Sequence, residues 1–180
     1  MRHYLLTAFR MLGALLLMAA SSCLASHPPR PAPTPVPSFD PIVFFAGRTQ
    51  GVGTLTARFS AARSIRVEST GTTEQDGSFR LDQRIILASG SVHTRFGRIR
   101  RVDSTHYSAT LSDATGDVTA DTDGNRFHLR YLLRRPGVYV EQWLYLQPDG
   151  RSATNLAQVT VLGIPWARLT ETITRVDDSR

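Results

Sequence analysis

Apolar and polar residues alternate along much of the chain beyond residue 54. This period of two is typical of β-strands that bury one face, and no window of helical length shows an apolar stripe of period 3.6. The pattern therefore predicts an all-β domain. Its apolar positions include Leu55, Ala57, Phe59, Ile65, Val67, Phe79, Leu81, Phe127, Leu129, Leu133, Val138, Val140, Leu144 and Leu146.

Turn signals separate these segments at nearly even intervals. Tight turns that join short strands favour an antiparallel meander, and closure of a meander into a barrel removes its exposed edges. We predict an antiparallel up-and-down meander that closes into a lipocalin-like (calycin-type) barrel of about 8–10 strands. The turn signals are Gly77, Gly90, Asp103-Ser104, Gly116, Gly124, Gly137, Gly150 and Gly163.

Two of these turns predict which residues face one another across the strands. If Pro136-Gly137 is a two-residue turn, Tyr131 lies opposite Gln142, and a two-residue turn at Asp149-Gly150 places Asn155 on the same inward face. Tyr131, Gln142 and Asn155 would then be the polar members of an otherwise apolar inward row. Because unpaired buried polar groups are costly, they would either bond one another as a structural network or orient a ligand.

The same pairing predicts contacts between cationic and aromatic side chains on the outer face. Two interpretations are open, namely packing that steadies the sheet or an aromatic and basic site for a partner. The predicted pairs are Arg130 with Trp143, Arg134 with Tyr139, and His128 with Tyr145.

The N-terminus has the plan of a secretory signal. Arg2 and Arg10 precede an apolar run over residues 11–19, and small residues follow that run. The single cysteine ends the sequence Ala20-Ser21-Ser22-Cys23, which resembles the lipobox of bacterial lipoproteins. The alternative is an ordinary signal that is cleaved near Ala25-Ser26 and leaves no anchor.

Lipidation of Cys23 would attach the protein to a membrane. Residue 24 is Leu and not Asp, which favours the outer membrane over the inner membrane, with the domain facing the periplasm. The proline-rich residues 27–41 are typical of a semi-rigid spacer. We therefore predict a signal peptide over residues 1–22, a lipidated cysteine and tether over residues 23–41, and a β-barrel domain over residues 42–178.

The basic residues of the chain are all arginines. There are 21 of them against 15 acidic residues, for a formal net charge of +6. Because the signal directs the chain out of the cytoplasm, nucleic acid is not expected as a partner. The densest basic cluster, Arg95, Arg98, Arg100 and Arg101, would either contact anionic lipid headgroups or form a solvated strand end.

The sequence has few signs of metal or catalytic chemistry. Residues 121–125 resemble the start of a calcium loop, but Arg126 and Leu132 replace the glycine and glutamate that such a loop needs, so a hairpin turn is favoured. No Gly-x-Ser-x-Gly motif is present, and the histidines His93, His106 and His128 lack zinc-site spacing. We therefore expect no metal, no cofactor and no enzymatic activity.

The assembled motifs resemble the bacterial lipoprotein family catalogued as domain of unknown function 3833, over about residues 45–176. The resemblance implies a lipoprotein with a connection to lipids and transfers no known reaction. The chain departs from the family pattern at Glu141-Gln142, where an acidic pair is usual, and at Ser89-Gly90 and Phe96. The matching residues are Gly47, Gly51, Gly53, Leu81-Asp82, Tyr107, Asp117-Val118, Gly124-Asn125, Phe127, Tyr131, residues 143–147, Asn155 and Gly163.

Two functions follow from these predictions. The first is a membrane-anchored lipoprotein whose barrel binds a lipid or another hydrophobic ligand. The alternative is a structural or interaction lipoprotein whose barrel is filled by its own side chains and which binds an envelope protein. The volume of the barrel interior distinguishes the two.

Overall fold

The computed structural model describes residues 30–177, and in this range a short helix precedes ten antiparallel strands. The predicted signal peptide and Cys23 lie outside the described residues. No helix within residues 30–177 is long and apolar enough to span a membrane. The elements are α1 (Pro41–Phe45), β1 (Gly47–Ala57), β2 (Arg63–Thr73), β3 (Phe79–Leu87), β4 (Val92–Arg101), β5 (His106–Leu111), β6 (Val118–Asp123), β7 (Arg126–Arg134), β8 (Val138–Leu146), β9 (Ser152–Val161) and β10 (Ile164–Val176).

The strands form a closed up-and-down barrel. Each strand pairs with the next one along the chain, and β1 pairs with β10 from Arg48 opposite Val176 to Ala57 opposite Ala167. Closure leaves no strand edge open for pairing with another chain. The predicted antiparallel meander and its lipocalin-like closure are therefore confirmed.

The alternation of the sequence sets the two faces of the barrel wall. Residues that follow one another by two along a strand point to the same side, so the apolar row of each strand faces inward. Phe79 on β3 and Phe127 on β7 are almost fully buried in this core. Smaller residues such as Ala153 on β9 leave room for them.

Aromatic residues before β1 fill the core at the end of the barrel where that strand begins. Asp40 caps α1, its Oδ1 accepting hydrogen bonds from the amides of Ile42 and Val43. Phe39, Phe44 and Phe45 join the core cluster, and the Phe39 amide donates to the Gly124 carbonyl at 2.8 Å. Phe39 is thus packed into the barrel although it precedes residue 42.

The register of β8 with β9 agrees with the predicted two-residue turn, and the register of β7 with β8 does not. Leu146 faces Ala153, as Asp149-Gly150 predicts. Tyr131, in contrast, faces Val140 and not Gln142. The β7–β8 connection has three residues, 135–137, and the pairing shifts again between Leu132 and Arg134. This displacement by two residues changes the partners but keeps each residue on its predicted face.

Candidate functional site

A cavity of about 170 Å³ lies inside the barrel. Its wall is mainly apolar, with side chains such as Ile65, Leu144 and Leu169. Ligand pockets in proteins usually measure about 300–1,000 Å³ and combine an apolar lining with a few polar groups. The cavity has this type of lining but a smaller volume. The polar side chains in its wall are Gln83, Arg95, Thr110, Gln142, Asn155 and Glu171.

Asn155 and Glu171 form a buried polar pair in this cavity wall. The two residues are direct neighbours on β9 and β10, and Nδ2 of Asn155 donates to Oε2 of Glu171 at 2.9 Å. Both side chains are buried, and neither Oδ1 of Asn155 nor Oε1 of Glu171 has a hydrogen-bond partner in the protein. Two hydrogen-bond acceptors are thus unsatisfied beside an apolar cavity.

The burial of Glu171 shifts its protonation. Removal from water disfavours a charged carboxylate and raises the pKa of Glu171 above its ordinary value, although the bond from Asn155 and the positive charge of Arg95 act in the opposite direction. A raised pKa makes the carboxyl easier to protonate, and a protonated carboxyl can donate as well as accept a hydrogen bond. The site can therefore recognise either kind of group.

Two glycines on β1 make the space for the Glu171 side chain. A Cβ atom added at Gly51 would lie 1.8 Å from Oε1 of Glu171. A Cβ atom at Gly53 would lie 2.4 Å from the Thr170 carbonyl oxygen and 2.8 Å from the Glu171 backbone. Gly51 and Gly53 belong to the motif that carries the family resemblance, and their physical role is to let β10 and its glutamate approach β1.

Arg95 reaches into the barrel from β4. Its Nε donates to Oε1 of Gln83 at 2.8 Å, and its Nη1 donates to the Tyr131 hydroxyl at 3.0 Å. The carboxylate of Asp113 lies 3.6 Å from the same Nη1. Burial raises the pKa of the Tyr131 phenol, against the lowering effect of Arg95. The oxygen of that hydroxyl accepts from Arg95, and within residues 30–177 its proton has no acceptor.

The predicted cluster of four arginines is divided by the barrel wall. Arg95 faces inward and is mostly buried. The other three pair with carboxylates: Arg98 with Glu74, Arg100 with Asp76, and Arg101 with Asp40. These three side chains are 41–55% exposed near the end of β4, as in the predicted solvated strand end, and each of their charges has a carboxylate partner.

The three polar residues predicted from the turn arithmetic all face inward, but they do not form one network. Gln142 and Asn155 line the cavity, whereas Tyr131 is buried beside it. No hydrogen bond joins the three to one another; Tyr131 bonds Arg95, and Asn155 bonds Glu171. The prediction missed both charged partners. Glu171 could have been found from the period of two that it shares with Leu169 and Ile173.

The predicted pairs on the outer face are wrong, because the β7–β8 register is displaced by two residues at His128 and Arg130 and by one residue at Arg134. Arg130 faces Glu141 and not Trp143, although its guanidinium still lies over a ring, that of Tyr139, at 5.2 Å. Arg134 is exposed and faces Val138.

His128 occupies the position opposite Trp143, and the two rings stack with their centroids 5.5 Å apart. The ring nitrogens of His128 also contact Oδ2 of Asp121 at 3.0 Å and Oε1 of Glu141 at 2.9 Å. Trp143 and Tyr145 are both buried. Of the five residues in the predicted outer site, only Arg130, Arg134 and Tyr139 are exposed.

Two other places on the barrel are less suited to a site. An open groove of about 760 Å³ runs over β1–β4, but ion pairs of Arg80 with Asp82 and of Arg84 with Glu68 neutralise charges that line it. The β6–β7 connection, Gly124-Asn125, is a hairpin turn, as predicted. Within residues 30–177, no group of three or more His, Cys, Asp or Glu side chains is placed to hold a metal ion.

Two solved structures are similar to this barrel. The S-type phycobiliprotein lyase CPES from Guillardia theta superimposes with a TM-score of 0.62 at 7% identity, over 77% of this chain and 92% of the lyase. Rv2717c from M. tuberculosis gives a TM-score of 0.55 at 15% identity, over 77% of this chain and 99% of that protein. At these identities the similarity shows a shared lipocalin-like fold and nothing about function.

No curated protein matches the chain by sequence. The family model described as protein of unknown function DUF3833, in contrast, matches residues 17–175. This range includes both glycines beside Glu171 and all ten strands except the last residue of β10. The chain therefore belongs to the DUF3833 family of proteins of unknown function.

Proposed function

We propose that the protein is a membrane-anchored binding barrel that faces the periplasm and holds a small hydrophobic ligand, or one end of a lipid, in its interior. The observation that carries this proposal is the pair of unsatisfied acceptors, Oδ1 of Asn155 and Oε1 of Glu171, in the wall of an apolar cavity. The proposed role is binding and not catalysis.

The energetics of the pair support a ligand with a polar group. A buried acceptor without a partner costs about 1–3 kcal/mol. A hydroxyl or amino group on a ligand would donate to Asn155 or Glu171 and recover part of that cost. The apolar remainder of the ligand would pack against side chains such as Leu144 and Leu169, which gives it a favourable transfer from water. The proposed ligand class is thus an apolar molecule with one hydrogen-bond donor.

The proposed anchor is the lipid on Cys23. The sequence before it resembles a lipobox, and the proline-rich segment that follows provides a spacer between the membrane and the barrel. Leu24 favours retention in the outer membrane. Lipoproteins carry more than one acyl chain on this cysteine, and two or more chains are enough for a stable attachment to a membrane.

Native mass spectrometry of the purified protein, before and after extraction with organic solvent, tests the binding proposal. We expect a reproducible small molecule bound to the wild type and absent from Asn155→Leu. The matched control is Gln158→Leu, on the outer face of the same strand, which should keep the bound molecule. A wild type without any bound molecule, or equal loss from both variants, contradicts the proposal.

The small volume of the cavity favours a second candidate, an interaction lipoprotein that binds an envelope protein. At about 170 Å³ the interior is closer to a filled core than to a usual ligand pocket. In this case Asn155 and Glu171 form only a structural hydrogen bond between β9 and β10. Asn155→Leu would then lower the melting temperature while the mass spectrum of the wild type shows protein alone.

A further inference from the structure

Large apolar side chains are exposed at the end of the barrel opposite α1. Val92 at the start of β4 is one of them, and four others are grouped on the β1–β2 connection, the β9–β10 turn and the start of β10. Phe59 lies in the β1–β2 connection and Leu162 in the β9–β10 turn, and they are 82% and 68% exposed. Ile164 and Trp166, at the start of β10, are also exposed. We call these four residues the apolar rim. None of the four belongs to the core cluster or to the residues packed against it.

The residues of the apolar rim lie on neighbouring connections of the closed barrel. The rings of Phe59 and Trp166 meet edge to face at 6.5 Å, and the Arg58 amide donates to the Trp166 carbonyl at 2.7 Å. The Leu162 amide donates to the Gly137 carbonyl at 2.9 Å, and this hydrogen bond connects the β9–β10 turn to the β7–β8 connection. Three adjacent connections therefore present their tips together.

The backbone at the two most exposed residues is unfavourable for their side chains. Phe59 has φ of 61° and Leu162 has φ of 50°, and they are the only non-glycine residues with positive φ within residues 30–177. Glycine adopts this conformation without a steric penalty, whereas a residue with a Cβ atom does not. The backbone at both residues is therefore sterically strained, and because the side chains are exposed, burial does not compensate for the strain. Strained residues of this kind are concentrated at binding sites.

The arginines around the apolar rim form no ion pairs. In the described part of the chain, no carboxylate lies within ion-pair distance of Arg58, Arg63, Arg134 or Arg135. The acidic residues at this end, Asp113 and Asp117, lie on the β5–β6 connection and not on the three connections that carry or adjoin the apolar rim. At the opposite end five arginines are paired with carboxylates, and Arg175 donates to the backbone carbonyls of Val43, Phe44 and Ala46. The five pairs are Arg98 with Glu74, Arg100 with Asp76, Arg101 with Asp40, Arg126 with Asp123, and Arg151 with Asp177.

We propose that the apolar rim and its free arginines dock onto a membrane that contains anionic lipids. Apolar tips enter the boundary between headgroups and acyl chains, while guanidinium groups stay at the level of the phosphates. Trp166 has the amphipathic ring that is enriched at such interfaces. An anionic lipid surface satisfies both features of this end, its apolar tips and its uncompensated positive charge. The proposal depends neither on lipidation of Cys23 nor on the internal cavity.

Fluorescence of the full chain with lipid vesicles tests this docking. Vesicles of phosphatidylcholine alone are compared with vesicles that also contain phosphatidylglycerol, and brominated acyl chains serve as contact quenchers. We expect quenching of Trp166 on the anionic vesicles, with Trp166→Phe removing the quenched component because Trp143 is buried. Quenching at Trp166 separates docking of the apolar rim from attachment through any other segment. An unquenched Trp166 on anionic vesicles would overturn the proposal.

Glycine substitutions separate binding from stability. Because both positions have positive φ, Phe59→Gly with Leu162→Gly should leave the fold equally or more stable, yet weaken vesicle binding at least tenfold. The control is Val102→Gly, an exposed apolar residue at the opposite end, which should bind as the wild type does. Equal binding by the double variant and the wild type would contradict the proposal.

Substitution of the arginines tests the role of charge. Arg134→Gln and Arg135→Gln should each weaken binding to anionic vesicles about fivefold and leave binding to neutral vesicles unchanged. Arg100→Gln, which removes a cation already paired with Asp76, is the matched control. The opposite result would be a protein that does not bind vesicles and sediments as a dimer that Phe59→Gly abolishes. This result would refute membrane docking and identify the apolar rim as a protein interface.

Discussion

Glu171 is held in the barrel wall by three neighbours with different physical roles. Gly51 and Gly53 on β1 leave room for its side chain, and Asn155 on β9 donates to one of its oxygens. Water is largely excluded, and this burial raises the pKa of Glu171 by disfavouring the carboxylate. The residue therefore lowers the stability of the barrel at neutral pH, and a substitution should reveal this cost.

We expect Glu171→Gln to stabilise the protein at neutral pH, because glutamine removes the cost of burying a carboxylate. The folded-state pKa is raised above the ordinary 4.5, so the folded state retains its proton longer as pH rises. Wild-type stability from this group is therefore complete below pH 4.5 and is lost as pH rises through the raised pKa. Glutamine does not titrate, so the two proteins should converge in urea unfolding at acidic pH and diverge above it. A constant difference at all pH values would contradict this assignment.

Gly51 and Gly53 form a cradle for the Glu171 side chain, and this contact predicts an energetic coupling between Gly51 and Glu171. Gly51→Ala should destabilise the barrel by about 1–3 kcal/mol, because its Cβ atom overlaps Oε1 of Glu171. In a Glu171→Ala background the same substitution should cost much less, which a double-mutant cycle of unfolding free energies would detect. Gly53→Ala is the control, since its Cβ atom overlaps the Thr170 carbonyl and backbone atoms of residue 171 in either background. Additive costs for Gly51→Ala and Glu171→Ala would contradict the cradle.

At the level of elements, α1 and the residue before the cap contribute large side chains to a barrel whose strands carry many small ones. Phe44 is buried and touches the rings of Phe39 and Phe45, with centroids 5.2 and 4.9 Å away. The adjacent Val43 points to solvent. The helix is too short to be stable alone, so its position depends on this packing.

Phe44→Ala should therefore lower the unfolding free energy by about 3–5 kcal/mol, through the loss of buried area and the cavity that remains. Val43→Ala, one residue away on the exposed side, should change stability by less than about 0.5 kcal/mol. Thermal unfolding followed by circular dichroism measures both effects. Similar melting temperatures for the two variants would show that α1 is not part of the cooperative barrel.

The alternation of the sequence predicted most strands and their faces, but not every register. It also counted Phe59 as a half-buried strand position, whereas Phe59 lies in the β1–β2 connection and is exposed. A period of two depends only on which residues are apolar, and Leu129 and Leu144 keep their inward positions whichever partner they have. The register depends on the exact loop and on bulges. The irregularity near Leu133 is a local backbone feature that the side-chain pattern does not encode.

The candidate site was predictable only in part, for a related reason. Asn155 could be placed inward because a tight turn at Asp149-Gly150 fixes its register. Glu171 and its cradle at Gly51 depend on contact between the first and last strands, which local turns do not determine. Arg95 sits among other arginines in the sequence, and only the direction of its side chain separates it from them.

In the molecule as a whole, ion-paired charges and unpaired arginines lie at opposite ends of the barrel. The ion pairs at the end near α1 leave little net charge there, whereas the opposite end combines free arginines with the apolar rim. A protein anchored by a lipid and also docked by such a surface would have two independent contacts with membranes. They differ in physical character, since salt screens charge but does not remove an acyl chain from a bilayer.

This difference gives a prediction for Cys23→Ser. In wild-type cells, we expect metabolic labelling with a fatty acid to mark the protein, and the protein should stay with membranes during a high-salt wash. In Cys23→Ser the label should be absent, and the protein should appear either in the soluble periplasm or as uncleaved precursor. Any mature, unlabelled protein that remains on membranes should be released by salt, because only the arginines and the apolar rim would hold it. Salt-resistant, unlabelled wild-type protein would contradict the assignment of Cys23 as the anchor.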